Sequence, residues 1–149
     1  MMNIIEITTK HRAEVLEMVQ DFYSGEAVDH PVNPVILERT FDDVANPENN
    51  TITGYLIMEE GEIAGYCYLT SLYACEVGGI CILIEEIHIK AEYRGKGLGR
   101  AAMEWVRAQN PEAKRFRLEV TDANRGAVAL YQKLGYQFLN YKQMTLDME

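Results

Sequence analysis

Ile80-Cys81-Ile82-Leu83-Ile84-Glu85-Glu86-Ile87-His88-Ile89-Lys90-Ala91-Glu92-Tyr93-Arg94-Gly95-Lys96-Gly97-Leu98-Gly99-Arg100 is the stretch from which the rest of the chain can be read. Residues 80–89 are the most apolar run in the protein, the composition of a central strand covered on both faces. Glu85 and Glu86 interrupt it. The Ile positions are even before that doublet (80, 82, 84) and odd after it (87, 89), the parity switch that a β-bulge produces. The glycine-rich turn at 95–99 then opens a segment with Leu98, Ala101, Ala102, Trp105 and Val106 on one helical face, ending before Pro111. A strand, a glycine loop and a helix in that order offer free backbone N–H groups where phosphate oxygens can sit. Arg94, Lys96 and Arg100 flank them with charge-assisted donors.

Upstream, residues 3–7 read as a short strand, and Thr8 or Thr9 can cap a helix whose apolar face is Val15, Met18, Val19, Phe22 and Tyr23. Asn33-Pro34 predicts the start of a second helix with Leu37, Phe41 and Val44 inside, ending near Asn46-Pro47. Strands over 51–58 and 63–73 are joined by the hairpin signal Glu60-Gly61-Glu62, and Gly78-Gly79 turns the chain into the central strand. Downstream come a strand at 115–121 and a helix carrying Ala127, Leu130, Tyr131 and Leu134, with Asp122 or Asn124 at its start and Gly135 past its end. Residues 136–148 read as two further strands broken near Asn140. The resulting order, βααβββαβαββ, describes an α/β (α+β) fold with a mixed sheet and helices on both faces.

At 149 residues the chain fits one domain, 1–149, able to bury a core without disulfides or metals. No basic, apolar and small-residue leader pattern and no span-length apolar run is present, so a cytoplasmic location without membrane association is expected. Cys67, Cys75 and Cys81 all lie in apolar stretches and are expected to be buried reduced thiols. None is paired locally with a His or set at a helix N-terminus, so none is a good nucleophile. Net charge is −9, yet residues 94–117 hold seven Lys or Arg against two Glu, a local +5 that leaves −14 for the remainder. That balance argues against nucleic-acid binding and suits a local polyanion on the basic segment. A solvated charged face would explain part of it, but not the clustering on a glycine turn. No His/Cys grouping has metal-ligand spacing, so no metal is expected.

Two familiar phosphate loops are excluded. A P-loop needs Gly-Lys-Ser/Thr at the helix start, and a dinucleotide fingerprint needs Gly-x-Gly-x-x-Gly with an acidic residue about 20 positions on. Here the spacing is Gly-x-Gly-x-Gly, Lys96 precedes Gly97, and no Ser or Thr follows. The loop instead resembles the coenzyme A signature of the GNAT acetyltransferase superfamily, Arg/Gln-x-x-Gly-x-Gly/Ala, through Arg94, Gly97 and Gly99. Residues 85–99 are similar to that family's core strand and loop, and Asn124-Arg-Gly-Ala-Val-Ala-Leu-Tyr131-Gln-Lys-Leu-Gly-Tyr136 to its second motif. The element order matches along nearly the whole chain.

The resemblance implies an acetyl-coenzyme A-dependent N-acetyltransferase in which the central strand and the next one splay apart. The pantetheine arm would lie between them against Ile87, His88 and Ile89. The diphosphate would meet the N–H groups of Gly95, Lys96, Gly97, Leu98, Gly99 and Arg100, with Arg94 nearby. Asn124 matches a pantetheine contact and is equally suited to cap a helix. Tyr131 matches the family's proton donor to the departing thiolate, although a Tyr on an apolar helical stripe is otherwise a core residue.

Glu85 and Glu86 are the candidates to receive the proton of an incoming ammonium group, directly or through water; otherwise one points to solvent or an ion pair. Similar acidic pairs precede the loop in some polyamine-acetylating members. His88 is read as a packed imidazole or a proton relay. Tyr23, His30, Tyr73 and Glu76 are nominated for the acceptor pocket. The expected acceptor is a small cationic amine. A protein or peptide N-acetyltransferase is the alternative, and so is a non-catalytic coenzyme A-binding regulatory module. A homodimer is expected from the resemblance alone.

Overall fold

The computed structural model describes residues 1–149. One sheet runs in the order β1 (Met2–Glu6), β2 (Thr53–Glu59), β3 (Glu62–Ala74), β4 (Gly79–Ile89), β5 (Arg115–Leu118). Around it pack α1 (Arg12–Tyr23), α2 (Pro34–Ala45), α3 (Leu98–Gln109) and α4 (Arg125–Lys133). Strands β1 to β4 form an antiparallel meander, and β5 joins β4 in parallel after the α3 crossover. The β2–β3 turn puts Glu60 at φ 51° and Gly61 at φ 80°, the pair of left-handed residues that matches the twist of a tight hairpin. At the start of α2 the Asn33 side chain accepts from the Val35 N–H while Pro34, which has no N–H to leave unpaired, takes the first helical position.

The two faces of the sheet carry separate apolar clusters. Val15, Met18, Val19 and Phe22 of α1 and Leu37, Phe41 and Val44 of α2 pack on Leu56, Tyr66 and Tyr68. On the opposite face Met103 and Val106 of α3 meet Cys67, Leu69, Ile82 and Ile84, with Leu118, Tyr131 and Leu134 at the margin. Phe41 is 1% exposed, and burying such a ring stabilises the fold by about 2–3 kcal/mol. Met103 takes one of the fully covered α3 positions, while Ala101 and Trp105 are half-buried.

Three expectations are corrected. Residues 136–148 form no strand, so the order is βααβββαβα. A strand needs a ladder partner, and the sheet ends at β5, with which residues 135–143 line a cavity of about 970 Å³ rather than form a ladder. Phe138, Leu139, Tyr141, Met144, Leu146 and Met148 stay exposed, and side chains tie the segment down instead, Tyr141 to Glu76 and Glu149 to Arg39. Second, β5 ends at Leu118 rather than at 121. Third, Cys67 and Cys81 are buried free thiols but Cys75 is exposed, because it lies in the turn beyond the end of β3. No helix is long and apolar enough to cross a membrane.

Candidate active site

The loop before α3 is built on backbone conformation. Gly97, the N-cap, has φ 78° and Gly95 has φ 77°, in the left-handed region that costs an L residue roughly 1–2 kcal/mol. A Cβ placed on either would meet nothing within 4 Å, so the main chain there is open to a ligand. Gly99 is already helical, and a Cβ on it would meet Leu130 Cδ2 at 3.7 Å and Ile89 Cγ1 at 3.9 Å, ordinary contact distances. The first bond into the helix runs from the Ala101 N–H to the Gly97 carbonyl at 3.0 Å, and the N–H groups from Gly95 to Arg100 donate to no protein acceptor. The positive end of the helix dipole adds to this concentration of donors.

The flanking cations are occupied by neighbours. Arg94 Nε donates to the Ile89 carbonyl at 2.9 Å, tying the loop back to the end of β4. Arg100 Nε bonds Glu104 at 3.0 Å, and the Lys96 ammonium stands 5.4 Å over the Tyr93 ring. Exposed pairs of this kind are weak, so both cations can turn to a phosphate at little cost.

Upstream, β4 separates from β5. Their ladder runs from Cys81–Arg115 to Ile84–Leu118 and stops, while β4 continues to Ile89. The stop coincides with the bulge: Tyr68 of β3 pairs with Glu86 and Leu69 with Ile84, which leaves Glu85 as the extra residue. From Glu85 to Ile89 the edge of β4 therefore has no strand beside it. Open backbone at a strand edge pairs with whatever extended chain is laid along it.

The bulge also sorts the two carboxylates. Glu85 is exposed and accepts a bond from the Thr70 hydroxyl at 2.7 Å. Glu86 is 8% exposed, on the α1 face. Its Oε2 accepts the Tyr23 hydroxyl at 2.6 Å and its Oε1 the Tyr66 hydroxyl at 2.7 Å. Burial raises its pKa above the ordinary carboxylate value, and the two phenols pull the other way. Phe22 covers this cluster edge-on, with ring centroids 6.4 Å from Tyr66 and 6.3 Å from His88. The Tyr68 hydroxyl and His88 Nε2 are buried with no hydrogen-bond partner. Burial, then the nearby Arg94 charge, lowers the His88 pKa, so this imidazole is neutral at pH 7.

Tyr131 lies across the sheet from Glu86. It packs with Ile87 against the α3 cluster, and burial raises its pKa, which keeps the phenol protonated at neutral pH. Thus a protonated phenol stands on one face of the sheet and a carboxylate on the other, with the part of β4 that lacks a β5 partner between them. The Asn124 side chain accepts from the Ala127 N–H at 3.4 Å, a long cap on α4.

The remaining nominees divide. Tyr23 joins the Glu86 cluster. His30 is exposed beside Asp29 in the α1–α2 connection, whose Glu26 carbonyl accepts the Thr121 hydroxyl beyond the end of β5. Tyr73 pairs with Ile80, five residues along β3 from Tyr68, or about 17 Å away. Glu76 is beyond it, bonded to Arg115 at 3.0 Å and to Tyr141. The structure does not bring Tyr73 or Glu76 to the bulge. Sequence reading missed Tyr66, Thr70 and Phe22. The register of β3 against β4 was the signal needed, since Tyr66, Tyr68 and Thr70 alternate with apolar residues like any half-buried strand.

Known proteins resemble this chain in sequence and in fold. The sequence profile of the acetyltransferase (GNAT) family matches residues 13–136. The mouse thialysine N-epsilon-acetyltransferase is 28% identical over 142 residues, 90% of this chain and 83% of its own length. A Bacillus subtilis (strain 168) protein provisionally named a ribosomal protein bS18-alanine N-acetyltransferase is 37% identical over 98 residues, 59% of this chain and 56% of its own. The chain thus spans little more than half of that relative. Among solved structures, a Clostridium difficile 630 protein described as a possible acetyltransferase superposes with a TM-score of 0.80 at 14% identity, over 99% of this chain and 98% of that one. A Clostridium acetobutylicum predicted acetyltransferase solved with acetyl-CoA gives 0.76 at 16% identity, over 99% and 97%. With a family profile covering most of its length and the family's fold beneath it, the chain belongs to the GNAT acetyltransferase family.

Proposed function

We propose that the chain transfers the acetyl group of acetyl-coenzyme A directly to a primary amine on a small cationic molecule. The observation that carries this reading is the row of unsatisfied N–H groups from Gly95 to Arg100, at the entrance of α3 and directly after the unpaired part of β4. Those N–H groups would hold the diphosphate, and the open edge at Ile87, His88 and Ile89 would hold the pantetheine amides. The donor supplies an acetyl group already activated as a thioester. The protein supplies placement, a carboxylate that favours a cationic amine, and Tyr131 as the acid that hands a proton to the leaving sulfur. No covalent enzyme intermediate is required, and the buried thiols are unsuited to form one: burial pushes Cys67 up to about 12.

The small-amine reading is supported by the thialysine acetyltransferase likeness, which runs along most of the chain, and by the Glu85–Glu86 doublet. The second reading, a peptide N-terminus, is favoured by the higher identity to the bS18-alanine relative over a shorter stretch. A thiol-release assay with acetyl-coenzyme A and thialysine, lysine, spermidine, an aminoglycoside and an alanine-initiated peptide separates them. Turnover of one of the first four supports the proposal, turnover of the peptide alone replaces it with the second reading, and no turnover of any defeats both.

A further inference from the structure

We infer that Tyr23 is the group that meets the acceptor amine, and that it passes the amine's proton to Glu86. The inference rests on the amine-acetylation reading and decides which carboxylate is the base.

Glu86 has one phenol on each carboxylate oxygen and is itself almost fully covered. An amine therefore reaches it through one of those phenols. Tyr66 is 0% exposed, under Phe22 and beside Tyr68. Tyr23 is the last residue of α1, half-buried, with Ser24 and Gly25 leading into the connection that leans towards the end of β5. Of the two phenols, Tyr23 has the solvent-facing side. Glu85 has no such screen: it is exposed, with Thr70 as its partner, and its role is to attract the cation from solvent.

In the step, an ammonium N–H proton moves to the Tyr23 oxygen as Tyr23's own proton moves to Glu86 Oε2. The amine is left neutral with its lone pair free, Tyr23 is again a phenol, and Glu86 is a carboxylic acid. After the product leaves, the proton returns to water by the reverse path. Tyr66 does not carry the proton; it is a positioning residue that holds the far oxygen. The titratable groups that act on Glu86 are Tyr23 from α1, Tyr66 and Tyr68 from β3 and Glu85 from β4; His88 lies beyond Tyr66, with Asp21 and Arg94 as its own charged neighbours.

The test measures kcat/KM against pH for the wild type, Tyr23→Phe, Tyr66→Phe and Glu86→Gln. One acceptor is the most active amine among thialysine, lysine and spermidine. The other is trifluoroethylamine, which is neutral at the assay pH and needs no proton removed before attack. Tyr23→Phe and Glu86→Gln are expected to lose about 100-fold on the protonated amine and only a few-fold on trifluoroethylamine. Tyr66→Phe is expected to keep turnover to within about tenfold and to move the acidic limb of the profile to higher pH, because Glu86 loses a bond that favours its charged form. Coenzyme A affinity by calorimetry and melting temperature should stay near wild type in the phenylalanine variants. Equal losses for Tyr23→Phe on both amines, or no loss on either, would overturn the relay while the wild type still turns over. A wild type that acetylates no amine would overturn the acetylation reading, and the relay with it.

Discussion

The loop at 94–100 and the Glu86 cluster are both parts of one proposed site, yet they are made in opposite ways. The loop is a local object, with two glycines in the left-handed region, a helix starting at Leu98, and N–H groups whose direction follows from backbone alone. The Glu86 cluster is assembled from side chains on α1, β3 and β4, brought together over 63 residues of sequence separation for the Tyr23–Glu86 bond. A site built from backbone recognises what every substrate pair shares, in the proposed reading a diphosphate. A site built from distant side chains can be changed one residue at a time, which suits the part proposed to face the acceptor.

The sharpest break in this comparison is Tyr131→Phe, which removes the proposed proton donor without touching either region. It is expected to lower kcat by about 10²–10⁴-fold with the coenzyme A dissociation constant unchanged; an unchanged kcat in stopped assays would remove Tyr131 from the mechanism. Next comes the loop itself. Gly97→Ala places a Cβ at φ 78° and is expected to weaken coenzyme A about tenfold, from a conformational cost of roughly 1–2 kcal/mol, whereas Gly99→Ala should stay within about twofold. Calorimetry that found the two alike would mean that the left-handed conformation is not what binds. Asn124→Ala is expected to cost about 1 kcal/mol of stability as a lost helix cap, read by chemical denaturation. A matching loss of coenzyme A affinity would show a ligand contact in addition to the cap.

The smallest effect concerns Glu86. Burial raises its folded pKa, so between the ordinary carboxylate value of about 4.3 and that raised value the folded state holds more proton than the unfolded state. Stability attributable to this group therefore falls as pH rises through that window. Glu86→Gln lacks the titration, and its melting temperature relative to wild type should be higher at pH 8 than at pH 4. A difference independent of pH would mean that the two tyrosine bonds fully offset the burial.

This contrast also explains what could be read from the chain. The bulge was legible because Ile80, Ile82 and Ile84 change parity to Ile87 and Ile89, and the structure leaves Glu85 unpaired at that point. The helix start at Asn33-Pro34 was legible, and that of α4 to within Asp122 or Asn124, of which Asn124 is the cap, because caps act within three residues. Tyr66 was not, since its role depends on pairing with His88 across the sheet and on Phe22 arriving from α1. The positions of Tyr73 and Glu76 relative to the bulge were not legible for the same reason: register sets Tyr73 opposite Ile80 at the far end of β3, and Glu76 follows in the turn beyond it, bonded to Arg115. Residues 136–148 carry apolar side chains in a strand-like pattern, but pattern alone does not supply the neighbouring strand whose ladder they would complete.

The central claim is that main-chain N–H groups at the mouth of α3 bind the donor's diphosphate. Titrating isotope-labelled protein with coenzyme A and following the amide resonances tests it directly. The largest shifts should fall on Gly95 to Arg100, with further ones at Ile87 to Ile89, and pantetheine, which lacks the diphosphate, should reproduce only the second set. Saturation with coenzyme A that left the 95–100 amides unmoved would contradict the account.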